Sequence, residues 1–450
     1  MEEPEIDRRS LEASMKDVAA YGQMVGFGEA YFGAYAVSMG ASNWLVGILG
    51  TLPPFAGACV QPAAARAVAR TGRRRRFYMA GAILQTVTLV PICASAFLPR
   101  EAAYPVLLVS TILYFAGVHF ATPAWNSLMG DLVPAEWRGR YFGARNTVMV
   151  VAQCLATLLA GAGLEIYTRA GHERWGFALV FAAALAARAV SVWHLGRMRE
   201  PEGAVPSRAP TADAARTSNF GRFALFVAGI NFSVAVSGPY FVPYMLHDLR
   251  FTYFEFMVSQ VVVVIAQVLV LRRWGALGDR FGNRRILLFT AFGITGVPLL
   301  WIAARGPLGV WLVQAAAGIA WGGFNLAAGN FLLDALPREE RAAGVARLNV
   351  LAGLGILCGG LAGAAIVDQL PQRYAVAGVT VTFFSSLHVI MLVSALLRAA
   401  TLTVFLRRFR EVRDVPNVGV AEILLRSTAV KSITDVAADF VTWYRREKNS

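Results

Sequence analysis

Long apolar stretches alternate along this chain with short polar breaks, and the breaks are mostly basic. Twelve stretches, at 18–39, 44–64, 77–97, 105–132, 141–164, 175–195, 220–246, 254–271, 286–304, 307–333, 348–367 and 385–406, approach or exceed the roughly 20 residues that a helix needs to cross hydrocarbon. The pattern predicts an all-α polytopic membrane protein with twelve transmembrane helices. The breaks divide the chain into a polar N-terminus at 1–17, six spans within 18–199, a Pro-containing polar linker at 200–219, six spans within 220–406 and a tail at 407–450. In the tail, Ile423, Leu424, Val430, Ile433, Ala437, Phe440, Val441 and Tyr444 recur at about helical spacing among charged residues, which predicts an amphipathic helix on the inner leaflet. The first residues, Met-Glu-Glu-Pro-Glu, lack the pattern of a cleaved signal.

Composition and charge sharpen this picture. The chain is 56% hydrophobic and 16% charged, and its mean hydropathy of +0.52 is far from that of a soluble domain of this length. Lys and Arg number 42 against 28 acidic residues, a net charge of +14. Arg100, Arg169, Arg174, Arg250, Arg305 and Arg373 fall on the side opposite the N-terminus, while nearly all the others lie in the termini, at span ends or in alternate loops. Because basic residues near span ends stay in the cytoplasm, both termini are expected there, with the chain in the inner (plasma) membrane and the lipid bilayer as its surroundings. The run Arg73–Arg76 is a short turn between two spans, so no nucleic-acid partner is expected.

One break is more than a turn. Gly275-Ala-Leu-Gly-Asp279-Arg280-Phe-Gly282-Asn-Arg284-Arg285 resembles the loop signature of the major facilitator superfamily of secondary transporters. The physics suits a hinge at a membrane face: Gly275 for close helix approach, Gly282 for a turn at positive φ, and Asp279 to cap a neighbouring helix and pair with an arginine. The chain also repeats itself. Asp131-Leu-Val-Pro134-Ala-Glu136-Trp-Arg138 matches Asp334-Ala-Leu-Pro337-Arg-Glu339-Glu-Arg341, Tyr31-Phe32-Gly-Ala-Tyr35 matches Tyr240-Phe241-Val-Pro-Tyr244, and Arg188 matches Arg398. A faded copy of the signature, from Ala65 to Arg75, carries Ala69 in place of the aspartate. The resemblance implies two pseudo-symmetric six-helix lobes working by alternating access, with Asp279 closing the inner gate near Arg138, Arg140 and Tyr141. The recurrence of the Asp131/Arg138 and Asp334/Arg341 pairs at cytoplasmic span ends, with Pro134 and Pro337 at matching places, suits structural gate elements that do not bind substrate. The fifth span offers Ala160-Gly161-Ala-Gly163 where many drug antiporters of the superfamily carry a Gly-Pro pair.

Reactive chemistry is sparse. Cys59, Cys93, Cys154 and Cys358 lie inside predicted spans, the five histidines form no H-E-x-x-H, and no Gly-rich G-K-[ST] loop is present, so no cofactor, metal or enzymatic activity is expected. Ionisable groups at mid-membrane are costly and so become the functional candidates. Glu29 in the first span and His119 in the fourth are the candidate proton-coupling pair. The alternative for each is structural: Glu29 bonded to a neighbouring helix, His119 a satisfied packing residue. By the resemblance, the first, fourth, seventh and tenth spans line the central cavity. Tyr31, Tyr35, Asn126, Asn231, Tyr240, Tyr244, Trp321 and Asn325 are therefore candidates to hold a small-molecule substrate. Gln85, Gln153, Gln260 and Gln267 read as hydrogen-bond partners between helices, and Gly353, Gly355, Gly359, Gly360 and Gly363 as a close, slidable packing face. The function expected is proton-coupled movement of a small organic solute by a monomer. Uncoupled uniport, lipid export and a non-transporting sensor or scaffold of the same fold remain as alternatives.

Overall fold

The computed structural model describes residues 7–134, 137–200, 218–337, 341–376, 379–413 and 415. The predicted linker, apart from its edges, and the predicted amphipathic helix of the tail lie outside the described residues. In the first half the helices are α1 (Arg8–Phe27), α2 (Phe32–Ser38), α3 (Asn43–Thr71), α4 (Arg74–Ser95), α5 (Arg100–Leu132), α6 (Arg138–Arg169) and α7 (Glu173–Gly196). The second half holds α8 (Ser218–Ala235), α9 (Phe241–Pro243), α10 (Tyr253–Phe281), α11 (Asn283–Ala303), α12 (Gly306–Ala335), α13 (Arg341–Val367) and α14 (Leu387–Phe405). A short antiparallel hairpin, β1 (Arg373–Val376) with β2 (Val379–Thr382), joins α13 to α14 and was not anticipated. Among the described residues, eleven helical segments are long and apolar enough to cross a membrane.

The first predicted span is the one that departs from a continuous helix. Its helix begins well before residue 18, at Arg8, where Asp7 accepts hydrogen bonds from Ser10 N (3.1 Å) and Ser10 Oγ (2.6 Å). Those bonds hold the Asp7 carboxyl below its usual range. α1 ends at Gly28, and the chain passes through a tight turn at Glu29–Tyr31 before resuming as α2. The seventh span breaks at the equivalent place, Gly238–Tyr240, then widens where Leu249 N reaches back to Tyr244 O at 2.9 Å. The repeated Tyr-Phe-x-x-Tyr therefore marks a paired interruption of two helices.

Within each half the tightest packing is backbone on backbone. On α13, a Cβ added at Gly355, Gly359 or Gly363 would fall 2.4, 2.1 or 2.3 Å from carbonyl oxygens of Ala228, Phe232 and Val236 on or just after α8. In the first half the same interface has its glycines on the other partner, with Gly22 and Gly26 of α1 against Met149 O and Gln153 O of α6. One side of α13 is thus locked to its own half. Its other side faces α3 of the first half, through Gly353 near Phe55 and Gly360 near Thr51. The halves also meet where α6 packs on α10 and where the broken ends α2 and α9 touch. Replacing Gly359 with Val should force α13 away from α8 and cost about 1–3 kcal/mol, by the usual penalty of overpacking. Gly353→Ala meets its nearest atom at 3.4 Å and should be tolerated. Thermal unfolding in detergent checks the pair, and equal melting temperatures would contradict the assignment.

Candidate functional site

Glu29 sits where α1 ends, and the interruption brings its carboxylate into a cavity of about 210 Å³ between the two halves. The walls are Val25 and Ala30 beside it, Gln153, Cys154 and Thr157 of α6, and Gln260, Val261, Val263 and Val264 of α10. Glu29 Oε2 accepts from the Tyr114 hydroxyl of α5 at 3.1 Å. No ion pair to Glu29 is present among the described residues. The arrangement is a carboxylate held by one neutral donor, with Gln153 of the same half and Gln260 of the other lining the cavity beside it.

His119 does not join this site. Its Nδ1 lies 3.1 Å from Gln61 Oε1 on α3, and the ring packs where Gly57 leaves room for it. Glu29 and His119 are therefore not partners, because they lean toward different neighbours from different turns of their helices. The tyrosines expected to hold substrate are also elsewhere. Tyr31, Tyr35, Tyr240 and Tyr244 are at most 2% exposed and belong to the apolar core. Tyr31 donates to Thr157 O (2.6 Å), Tyr35 pairs with Ser95 Oγ (3.1 Å) and Tyr244 with His388 Nε2 (2.8 Å). Packing against the broken helix ends explains their recurrence. Asn231 bonds back to Val227 O within α8, Trp321 packs edge-on to Phe324, and Asn325 and Asn126 are exposed on α12 and α5.

The loop residues do meet, in pairings other than those expected. Arg74 bonds Asp131 at 2.6 Å, and at the matching place Asn283 bonds Asp334 at 2.7 Å. Arg138 turns back to the carbonyls of Gly130 and Val133, and Arg341 to those of Leu333 and Leu336. Each arginine therefore caps the end of the preceding helix, where exposed carbonyls favour a cation, and neither pairs with the aspartate of its own motif. Asp279 caps no helix. Its carboxylate is 76% exposed and meets Arg413 at 3.3 Å. The start of α11 is capped by Glu411, which accepts from Arg284 N at 2.7 Å, as Glu200 accepts from Arg74 N at 3.2 Å in the first half. Arg284 completes the clamp on the carbonyls of Phe409 and Leu406. Arg285 reaches Phe281 O, and the exposed Arg280 guanidinium lies 5.3 Å from the Phe281 ring. Gly282 has φ +89°, which suits glycine, while Gly275 makes no tight contact, its nearest neighbour for an added Cβ being Leu326 at 3.8 Å.

At the opposite end, two clasps tie the halves together. Asn43 Nδ2 donates to Asp368 Oδ1 at 2.8 Å. Tyr253, at the start of α10, donates its hydroxyl to Glu173 (2.5 Å) and its backbone N–H to Glu165 (3.2 Å).

A second polar cluster lies wholly within the first half and was missed in the sequence. Asp17 is 3% exposed and meets Arg145 at 3.1 Å and the Ser191 hydroxyl at 2.6 Å, and that hydroxyl also accepts from Arg188 Nη1 at 2.6 Å. Asp17 falls at the edge of the predicted first span, where a charge reads as a flank. Only the earlier start of α1 carries it inside.

No curated protein sequence matches the chain. Its fold, however, is shared with solved structures. A mutant of the nucleoside transporter NupG is 14% identical with a TM-score of 0.66, covering 89% of this chain and 99% of that one. A D-xylose-proton symporter is 13% identical with a TM-score of 0.66, covering 91% and 98%. A bacterial homologue of the iron transporter ferroportin, in an inward-facing state, is 14% identical with a TM-score of 0.65, covering 90% and 98%. The family description Major Facilitator Superfamily matches residues 20–226 and again 223–427, one match for each half, and the chain belongs to that superfamily as a multi-pass membrane protein.

Proposed function

We propose that this protein is a secondary transporter that moves a small organic solute by alternating access, with Glu29 as the residue that exchanges a coupling proton. The observation that carries the proposal is the placement of Glu29. A carboxylate inside the bilayer, facing a cavity between the halves and held by one tyrosine hydroxyl, is uncharged when protonated and costly to keep charged. A group that alternates between those forms as the halves rock links proton movement to the conformational change. The family and the structural neighbours support transport as the activity.

Orientation follows the basic residues, placing both termini and the Arg74, Asp131, Asp279 and Asp334 loops in the cytoplasm, in the inner membrane. The clasps of Asn43 and Tyr253 then close the outer side. Opening outward requires breaking them and bringing the ends of α6 and α10 together at the cytoplasmic side. In that state Asp279 is the group placed to meet Arg138, Arg140 and Tyr141. Its exposed pair with Arg413 contributes little in the present state, since such pairs stabilise by about 0–1 kcal/mol.

Two outcomes follow. In proteoliposomes loaded with a pH dye and given a panel of solutes, Glu29→Gln should abolish accumulation driven by an imposed pH difference while exchange of solute persists. Accumulation by Glu29→Gln would place the coupling elsewhere, and solute entry without proton movement in the unaltered protein would make it a uniporter. Separately, Tyr253→Phe with Glu173→Gln removes a charge-assisted hydrogen bond and should shift the halves up to about tenfold toward opening at that end. Spin labels at His172 and Phe254 read the distance, and an unchanged distribution would show that the clasp does not hold the gate.

A further inference from the structure

Apart from the cavity at Glu29, the first half contains a half-open chamber of about 230 Å³ whose lining belongs to α1, α4, α5, α6 and α7. Asp17, Arg145 and Arg188 are its charged residues, so its fixed charge is one positive in excess. Asp17 engages Arg145 directly. It reaches Arg188 through Ser191, whose hydroxyl donates to Asp17 and accepts from Arg188. Arg188, 4% exposed, is left with an Nε that has no hydrogen-bond partner. Gln85, fully buried on the facing α4, has no partner for either its amide nitrogen or its oxygen. The hydroxyls of Tyr21 and Tyr114 stand near that amide without forming a hydrogen bond of normal geometry. Unpaired buried donors of this kind are expensive and rare, and an excess cation in a low-dielectric interior is more so.

The second half supplies an internal control. Matching the halves by their repeated elements, Tyr31 with Tyr240, Arg74 with Arg284 and Arg138 with Arg341, places Phe226, Thr295 and Leu348 opposite Asp17, Gln85 and Arg145. Arg398 is satisfied by neutral groups: Nε by Ser394 Oγ (3.1 Å), Nη1 by Ile294 O (2.8 Å) and Nη2 by Ser237 Oγ (3.4 Å). Thr295 bonds its own helix at Ala291 O. A buried arginine at this position can thus be fully paired by the fold alone. In the first half it is not, and the orphaned atoms line an opening.

We propose that this chamber binds the oxyanion of a small organic acid, a carboxylate or a phosphate ester. Arg188 Nε, Arg145 and the Gln85 amide N–H are the donors, since guanidinium groups match such oxygens with directed hydrogen bonds. The apolar body of the ligand lies along Val118, Ala121 and Met149 beside Trp125, whose ring already carries the Arg145 guanidinium at 4.2 Å. Asn126, exposed at the rim, marks the way in. The volume is below that of pockets for drug-sized ligands, which selects a small solute. The Glu29 site is a neighbour, reached through Tyr114, whose hydroxyl donates to Glu29 and stands near the Gln85 amide, and binding here is measured without transport.

The full chain, purified in detergent, is titrated with benzoate, phenyl phosphate and neutral benzamide, following tryptophan fluorescence and melting temperature. One or both anions should quench fluorescence and raise the melting temperature, benzamide should do neither, and Trp125→Phe should remove the quenching but not the thermal shift. Arg188→Gln should weaken anion binding about tenfold or more, the loss of one buried charged donor. Should Arg188→Gln fail to fold, Gln85→Leu, which removes the orphaned amide without adding charge, should fold and bind the anions several-fold more weakly. The proposal is overturned if neither anion binds, if benzamide binds equally, or if a folded Arg188→Gln or Gln85→Leu binds as the unaltered protein does. Binding of phosphatidylglycerol in nanodiscs with no response to the soluble anions would likewise overturn a solute site.

Discussion

Hydrocarbon cannot hydrogen-bond a peptide group, and that constraint organises the molecule. It forces the backbone into helix along nearly every apolar run, and it confines interruptions to places where other helices cover them. Both interruptions, at Gly28 and at Gly238, are enclosed by the tyrosines of the repeated motif, whose rings fill the space and whose hydroxyls find partners on neighbouring helices where they find any. The first interruption also turns a glutamate out of the helix barrel and into the space between halves. A break that would be a defect in an ordinary helix is here what exposes an ionisable group to both lobes.

The same constraint decides which contacts are permanent. Where glycines bring α13 onto α8 and α1 onto α6, backbones touch and no side chain can rearrange, so each half behaves as one body. Across the halves, Gly47 and Gly360 also bring α3 close to α13, but there the nearest atoms belong to the side chains of Tyr240, Ala364 and Thr51, and α6 meets α10 beside the Tyr253 clasp. Side chains between lobes can rearrange where backbone contacts within a lobe cannot, which is the division that rocking requires.

Duplication built the frame, and divergence placed the chemistry. The helix-end clamps are nearly symmetric, with Glu200 and Glu411 capping equivalent helices and Arg138 and Arg341 binding equivalent carbonyls. The buried polar groups are not. The first half keeps Asp17, Gln85 and Arg145 where the second has Phe226, Thr295 and Leu348, and its arginine is left short of partners. Structural duties are shared equally, while the polar interior is concentrated in one lobe.

Residue type and run length alone make the apolar runs, the two-fold repeat and the superfamily legible in the sequence, which also offers Glu29 as a candidate because a charge is costly in lipid. It did not determine who pairs with whom. Glu411 provides the helix cap expected of Asp279, and Asp131 and Asp334 meet Arg74 and Asn283 while Arg138 and Arg341 bind backbone carbonyls, since partners from another helix or from the segment after a lobe's last helix are invisible to local spacing. Helix membership points His119 and the four tyrosines to the cavity, yet which face of a helix looks into it is fixed by rotation and by breaks such as Gly28. Asp17 was lost for the same reason: its depth depends on where α1 starts and on five helices closing around it, and only tertiary packing settles that.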